Sequence, residues 1–440
     1  MPTHTTLPGF RDFFPPDFTV RSHIVEAWRD VARRYGFEEY DGPPLESLEL
    51  YTEKSGDEIV RQLYNFEDKG GRAVALRPEM TPTLARMVGA RAGALRKPIR
   101  WFAVPQLFRY ERMQRGRLRE HFQWNVDILG EDDIAADAEV LAVALDGLRQ
   151  LGLEAADVVA RFNDRRLLEI VLPALGVPSG RIAATYSVVD KLGREPAERI
   201  RERLVDEAGQ TPATADRLLD LFESVRASGE TGGLDVVRSA FPGAADVARE
   251  LDRLDAYQDQ LAALGFGAFT RFDPAIVRGL AYYTGTVFEV FDRQGEMRAV
   301  CGGGRYDRLL ASVSGADLPG VGFGMGDVVL GELLRDRALL PSTEPAVDAF
   351  LVLFEDESRP LLLSIAQALR GAGFSVLYAL RNAAVGRQLK EANARGARRV
   401  ILLGPDEVRR GAITLRVMAT GEQRELAVDT LLARPAGLFE

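Results

Sequence analysis

The densest run of chemistry-bearing side chains is Leu107-Phe-Arg-Tyr-Glu-Arg-Met-Gln-Arg-Gly-Arg-Leu-Arg-Glu-His-Phe-Gln-Trp-Asn-Val-Asp127. Two antiparallel strands joined by an arginine-rich loop at Met113 to Gly116 would place Arg109, Glu111, Gln123 and Asp127 on one side, since side chains alternate with a period of two. Arg109 suits a phosphate because its planar fork is always charged. Gln123 and Asp127 suit a cationic or donor-rich small molecule. A salt-bridge ladder within the sheet explains the same spacing equally well. Two basic clusters stand out. Arg109 to Arg119 holds five arginines against Glu111, and Arg381 to Arg416 holds nine basic residues against Glu391, Asp406 and Glu407. Alone, either reads more simply as a solvated charged face.

Several elements must position these groups. Apolar residues at three- and four-residue spacing predict a helix over Thr19 to Tyr35, stopped at Gly36. Residues 37 to 41 read as extended. A hairpin is expected from Gln62 to Phe66 and Ala73 to Leu76, then a helix from Thr81 to Ala92. Strands are expected at Ile99 to Val104, Leu107 to Arg112 and His121 to Leu129. A helix near Ala136 to Leu151 and a strand at Val158 to Asn163 follow. From about 166 to 265 the sequence is charged and helical with little β character, which reads as a helical insertion. Strands return at Tyr282 to Phe291 and Met297 to Cys301, with a helix from Met325 to Arg335. After the linker-like Leu340-Pro-Ser-Thr-Glu-Pro345, strand and helix alternate from Ala349 onward, which predicts a small α/β domain with a largely parallel sheet. The domains expected are therefore 1–165 and 266–340 as one core, 166–265 as the insertion and 346–440 as the terminal unit.

The 440 residues exceed one ordinary core. With 46% hydrophobic and 28% charged residues the chain is globular rather than disordered. Its apolar runs are too short to span a membrane, and Met1 to Phe10 lacks the pattern of a secretory signal. One cysteine, Cys301, excludes an internal disulfide. Three histidines, His4, His23 and His121, cannot build a spaced Cys/His metal cluster. A reducing cytoplasm and no protein-held metal are expected.

The 107–127 segment resembles motif 2 of class II aminoacyl-tRNA synthetases in its histidyl form. Leu76-Arg-Pro-Glu-Met-Thr81, Val277-Arg-Gly-Leu-Ala-Tyr-Tyr-Thr-Gly-Thr-Val-Phe-Glu289, Gly302-Gly-Gly-Arg-Tyr-Asp307, the lead-in Pro8-Gly-Phe-Arg-Asp and the segment around Pro43 resemble other signatures of the histidyl-tRNA synthetase family, in order. The terminal unit, with Leu403-Gly-Pro-Asp-Glu-Val, is similar to its anticodon-binding domain. The resemblance implies a mixed, mainly antiparallel sheet, a helical insertion and a homodimer built through the Pro43 segment. It implies ATP-dependent activation of L-histidine, with Mg²⁺, and transfer to tRNA(His).

Residue by residue, it implies that Glu79, Thr81 and Gln123 bind the α-amino group, whose three donors match three acceptor oxygens. Asp127 and Tyr283, beside Tyr282, would take the imidazole. Arg109 and Arg278 would bracket the α-phosphate, with Glu111 near adenine and Arg117 toward the outer phosphates. Gln114 and Arg115 would meet the acceptor stem, and the C-terminal basic cluster the anticodon arm. Three positions depart from the pattern: Ala281 replaces an aspartate, Asp127 stands where many relatives have glutamate, and Val329 occupies the motif 3 arginine position. No arginine follows on that segment until Arg335. Losing one charge-assisted contact costs about 1.5–3 kcal/mol. Val329 therefore also fits a non-catalytic paralogue such as the regulatory subunit of ATP phosphoribosyltransferase, although such chains generally lack the terminal unit.

Overall fold

The computed structural model describes residues 4–52, 60–192, 195–278, 282–295, 297–344 and 346–438. The chain divides into two compact units, residues 1–341 and 342–440. The Ala281 position falls outside the described residues.

The first strands of unit 1 are β1 (Glu38–Glu39), β2 (Leu45–Ser47), β3 (Asn65–Glu67) and β4 (Ala73–Leu76). Next come β5 (Ile99–Ala103), β6 (Gln106–Phe108), β7 (Glu120–Leu129), β8 (Val158–Asp164) and β9 (Thr270–Phe272). β10 (Thr286–Asp292), β11 (Cys301–Arg305) and β12 (Gly320–Gly326) complete the set. Among the described residues the large sheet runs β1-β5-β7-β12-β11-β10-β8-β9, with β6 paired to β7. Its centre is antiparallel, and only the outer pairs β1/β5 and β8/β9 are parallel. β2, β4 and β3 form a small antiparallel sheet.

Helix Pro15–Arg34 starts with prolines at its first turn, where no N–H partner is lost. Its buried stripe Ile24, Ala27, Trp28, Val31 and Ala32 faces the core, and Trp28 stacks on Trp124 of β7 at 5.9 Å. Truncating Trp28 to alanine would cost about 3–5 kcal/mol. Helix Ile134–Gln150, capped by the Asp133 side chain on the Ala135 N–H, is apolar almost all round because it lies between sheet and neighbouring helices. The expected helical stretch appears as helices from Arg165–Ala174 to Ala245–Ala263, whose apolar faces belong to the same hydrophobic cluster as the sheet.

Unit 2 holds β13 (Val347–Leu353), β14 (Val376–Tyr378), β15 (Ala397–Leu403), β16 (Ala412–Val417) and β17 (Gln423–Ala427), in the order β14-β13-β15-β16-β17. β14, β13 and β15 are parallel, with helices Arg359–Gly371 and Val385–Ala394 as connections. β16 and β17 are antiparallel. The sheet is thus more mixed than the alternating pattern suggested, because the chain closes with a hairpin after Gly411.

Candidate functional site

β12 reads Gly320-Val-Gly-Phe-Gly-Met-Gly326, so every second residue lacks a side chain and one face of the strand is bare. β7 lies beside it, with Asp127 opposite Gly322 and Gln123 opposite Gly326. The Gln123 amide crosses Gly324 so closely that a Cβ there would sit 2.8 Å from its carbon, and Asp127 crowds Gly322 in the same way. On the next strand, Gly302 gives equal clearance to the Arg278 guanidinium. A floor of glycines therefore lets side chains from flanking elements lie flat across the sheet.

Asp127 is buried, and its Oδ1 accepts a hydrogen bond from the Tyr306 hydroxyl. Burial pushes the Asp127 carboxyl up to about 7, a rise the Tyr306 bond opposes. Tyr306 belongs to the Gly302–Asp307 segment, but spacing gave no reason to prefer it over Tyr283. Tyr283 is buried too, and its hydroxyl meets the Arg278 guanidinium instead of Asp127. Tyr282 hydrogen-bonds Thr81, the first residue of helix Thr81–Gly89, and buried Glu79 lies near both tyrosines. Burial raises the phenols of Tyr282 and Tyr283 above their ordinary value.

A cavity of about 960 Å³, at the upper end of the usual range for small-molecule sites, opens over the Gln123, Gly302 and Gly324 part of this floor, and Glu79, Thr81, Asp127, Tyr282 and Tyr283 are not part of its wall. Arg109, Glu111, Gln114, Arg115, Arg117, Gln123 and Arg278 all line it. Arg109 donates from Nε to the Pro78 carbonyl at 2.8 Å, which ties the motif 2 hairpin to the segment carrying Glu79. The hairpin is shorter than expected: β6 ends at Phe108, and Arg109 continues with one backbone bond to Arg119. Glu111 and Arg117 pair with each other at 3.0 Å. Arg278 sits at φ 57 and pairs with Glu289. A non-glycine residue in this left-handed region stores strain that its surroundings must hold. Arg165 does so, its guanidinium donating to the carbonyls of Val277, Arg278 and Tyr283 at 2.8–3.2 Å. No sequence signal marked Arg165, since it opens a helix.

His121 also lines the cavity, on the Gln123 face of β7. Burial, then the charges of Arg109 and Arg11, push its imidazole down to about 3, so it is neutral at physiological pH. Arg305, read as part of a ligand motif, is instead fully buried against Asp137 and donates to the Glu131 carbonyl at 3.0 Å. It braces the sheet against helix Ile134–Gln150. Val329 faces the cavity and packs on the motif 2 loop, so close that a Cβ on Gly116 would be 3.1 Å away. Arg115 reaches the same helix, Asp327–Asp336, but is paired with Glu332 at 3.3 Å and Asp336 at 3.0 Å.

In unit 2 a smaller cleft of about 310 Å³ lies at the ends of β13 and β14, lined by Phe354, Arg359, Arg381 and Asn382. Phe354 and nearby Leu380 are exposed. Much of the C-terminal basic cluster is partnered: Arg398 with Asp348, Arg409 with Asp406 and Arg410 with Glu425.

Residues 9–326 match the family model of histidyl-tRNA synthetase, and residues 345–434 match that of an anticodon binding domain. The histidine–tRNA ligase of Opitutus terrae is 42% identical over 439 residues, covering 100% of this chain and 99% of its own. The chloroplastic/mitochondrial histidine–tRNA ligase of Arabidopsis thaliana is 38% identical, covering 96% of this chain and 85% of its own. Among solved structures, histidyl-tRNA synthetase from a Nostoc species superposes with a TM-score of 0.82 at 25% identity, over 98% of this chain and 99% of its own.

Proposed function

We infer the division of labour in the pocket from the premise that the chain belongs to the histidyl-tRNA synthetase family. It is a histidine–tRNA ligase, an aminoacyl-tRNA synthetase that uses ATP, with L-histidine and tRNA as its other substrates. The regulatory-subunit alternative fits less well, since the 42% identity spans the whole chain and the terminal unit matches an anticodon-binding domain.

The observation that carries the site assignment is the glycine-floored sheet on which Asp127, Gln123 and Arg278 lie side by side. Asp127, held by Tyr306, takes one imidazole nitrogen, and the Tyr282–Tyr283 pair closes the ring's other side. Glu79, Thr81 and Gln123 receive the ammonium. A site that leaves buried polar groups unpaired rejects amino acids lacking those nitrogens. Arg109 and Arg278 draw the α-phosphate against the histidine carboxylate. A carboxylate oxygen bonds to the α-phosphorus, the bond to the β-phosphate oxygen breaks, and pyrophosphate leaves with the electron pair. The arginines offset the charge gathering on phosphate oxygens, and Mg²⁺ arriving with ATP would supply further positive charge there, so catalysis is positioning and electrostatics. Mg²⁺ usually needs only one or two protein carboxylates beside phosphates and water, and Glu111 and Glu289 line the cavity. A terminal adenosine hydroxyl of tRNA then attacks the adenylate carbonyl, expelling AMP.

Gln114 and Arg115, exposed on the motif 2 loop, would meet the acceptor stem. In unit 2 the exposed Phe354 offers a stacking surface to an unpaired anticodon base, Leu380 offers an apolar one, and Arg359 and Arg381 offer charge to the backbone. We propose residues 1–165 and 266–340 as the catalytic core, 166–265 as its insertion and 346–440 as the anticodon-binding domain. A homodimer through the Pro43 segment and a cytoplasmic location complete the proposal. No helix among the described residues is long and apolar enough to cross a membrane.

Histidine-dependent exchange of labelled pyrophosphate into ATP, with Mg²⁺, tests the reading. Exchange at rates typical of a synthetase is expected. Protein that binds histidine but gives no exchange overturns the activation chemistry.

A further inference from the structure

Arg109, Arg117 and Arg278 account for one part of the cavity wall, but the same cavity continues to the helical insertion. There its wall includes Arg161 of β8, Arg226 of helix Pro212–Ala227, Asp273, Phe291 and Arg298. Two arginines share one carboxylate. Arg161 Nη1 and Arg226 Nη2 each lie 3.8 Å from Asp273 Oδ2, too far for a normal hydrogen bond. Asp273 is buried, and its other oxygen accepts from the Ala275 N–H at 3.0 Å. A third arginine, Arg271, is drawn in behind them, donating to the Arg226 carbonyl at 2.5 Å. Burial pushes the Arg161 guanidinium down from its ordinary value; Asp273 and, more weakly, Glu230 offset this, and Arg226 and Arg271 add to it. The Arg161 guanidinium carbon also lies over the Phe291 ring, 5.0 Å from its centroid.

Holding like charges together in a concave, partly dehydrated place is costly without a counter-anion. A cluster built to stabilise the fold would be expected to carry close pairs, as Arg305 does with Asp137. We propose that Arg161 and Arg226 form a phosphate-binding subsite at the insertion end of the cavity, open to the same space as Arg278. Its ligand is a phosphate group of a substrate or product: either the phosphodiester backbone of the tRNA acceptor strand, or the pyrophosphate released from ATP. This rests on the synthetase reading for its source of phosphate, though not for its chemistry.

The test pairs Arg161→Gln/Arg226→Gln with the charge-retaining Arg161→Lys/Arg226→Lys. Losing a charge-assisted contact should raise the relevant KM about ten- to a hundredfold. A raised KM for tRNA in aminoacylation, with pyrophosphate exchange unchanged, identifies the acceptor strand. A raised KM for pyrophosphate in exchange identifies the leaving group. In either case the lysine pair should recover most of the effect. The proposal is overturned if both KM values stay within twofold of the parent, or if the lysine pair is as impaired as the glutamine pair. Should the double glutamine variant fail to fold, Arg226→Gln alone is read by the same criteria. If the parent catalyses no exchange, the function proposed above fails by itself. The subsite is then judged by calorimetric binding of inorganic pyrophosphate and of a CCA-ended oligonucleotide to parent and variant. Equal binding of both ligands to the two proteins, or none to the parent, overturns it.

Discussion

At the Tyr306 end of the site Asp127 is buried against a neutral phenol, whereas at the motif 2 end Arg278, Arg117 and Arg115 each lie against a carboxylate. The two ends carry polar groups by different economies of charge. Among the described residues no ion pair holds the buried acid, so burial suppresses its charge. The arginines keep their charge in ion pairs, and a phosphate must exchange for those carboxylates. On the proposed assignment, recognition of the amino acid depends on shape and proton placement, and recognition of the nucleotide on competition between anions.

The sharpest way to break the contrast is at its boundary. Arg278→Ala removes the cation nearest the glycine floor, and pyrophosphate exchange should fall about a thousandfold while the far-UV spectrum keeps its native form. Exchange near the parent rate would refute its role. Next in size, Asp127→Asn keeps an acceptor but removes the titrating acid, and KM for histidine should rise about ten- to a hundredfold in the exchange assay. An unchanged KM would place the imidazole elsewhere. The same variant reports on stability. Asp127 titrates near 7 in the fold and near 4 when unfolded, so between those values the folded state holds a proton that the unfolded chain has lost. Its contribution is full below about 4 and is lost as pH rises toward 7. Thermal melts of ligand-free protein should therefore show Asp127→Asn gaining on the parent by about 1–3 kcal/mol between pH 4 and pH 8. Parallel pH profiles would count against the buried, uncompensated acid. The smallest effect is expected beside the motif 2 loop: Val329→Arg should lower KM for ATP about three- to tenfold by adding one cation to the cavity wall. An unchanged KM would show that the nucleotide does not pass over this helix face.

Long, strongly patterned elements were legible in the sequence. The strands Ala73–Leu76, Ile99–Ala103 and Glu120–Leu129 lie where periodicity put them, give or take a residue. β12 was not foreseen, and β11 was placed too early, at Met297 to Cys301, because glycine has low strand propensity. Both form because ladders on either side supply what propensity does not. The strand expected from Tyr282 begins only at Thr286, since Tyr282 packs on Tyr283 and Tyr306 ahead of the ladder. In the site, the residues of the 107–127 run were identifiable from composition and order. Tyr306 and Arg165 were not, because each acts on a segment more than a hundred residues away, through contacts only the fold creates. The missing motif 3 cation was visible as Val329, but the path of Arg115 to Glu332 and Asp336 was not.

The bare face of β12 has one more consequence. A pocket lined by side chains can change depth when a rotamer flips, and it loses torsional freedom when a ligand arrives. Here the depth is set by peptide groups pinned by ladder bonds on both edges, so the base of the mould has no rotamers to flip or to freeze. Even one methyl group at Gly322 or Gly324 would act as a fixed step in that base and push Asp127 or Gln123 off its line.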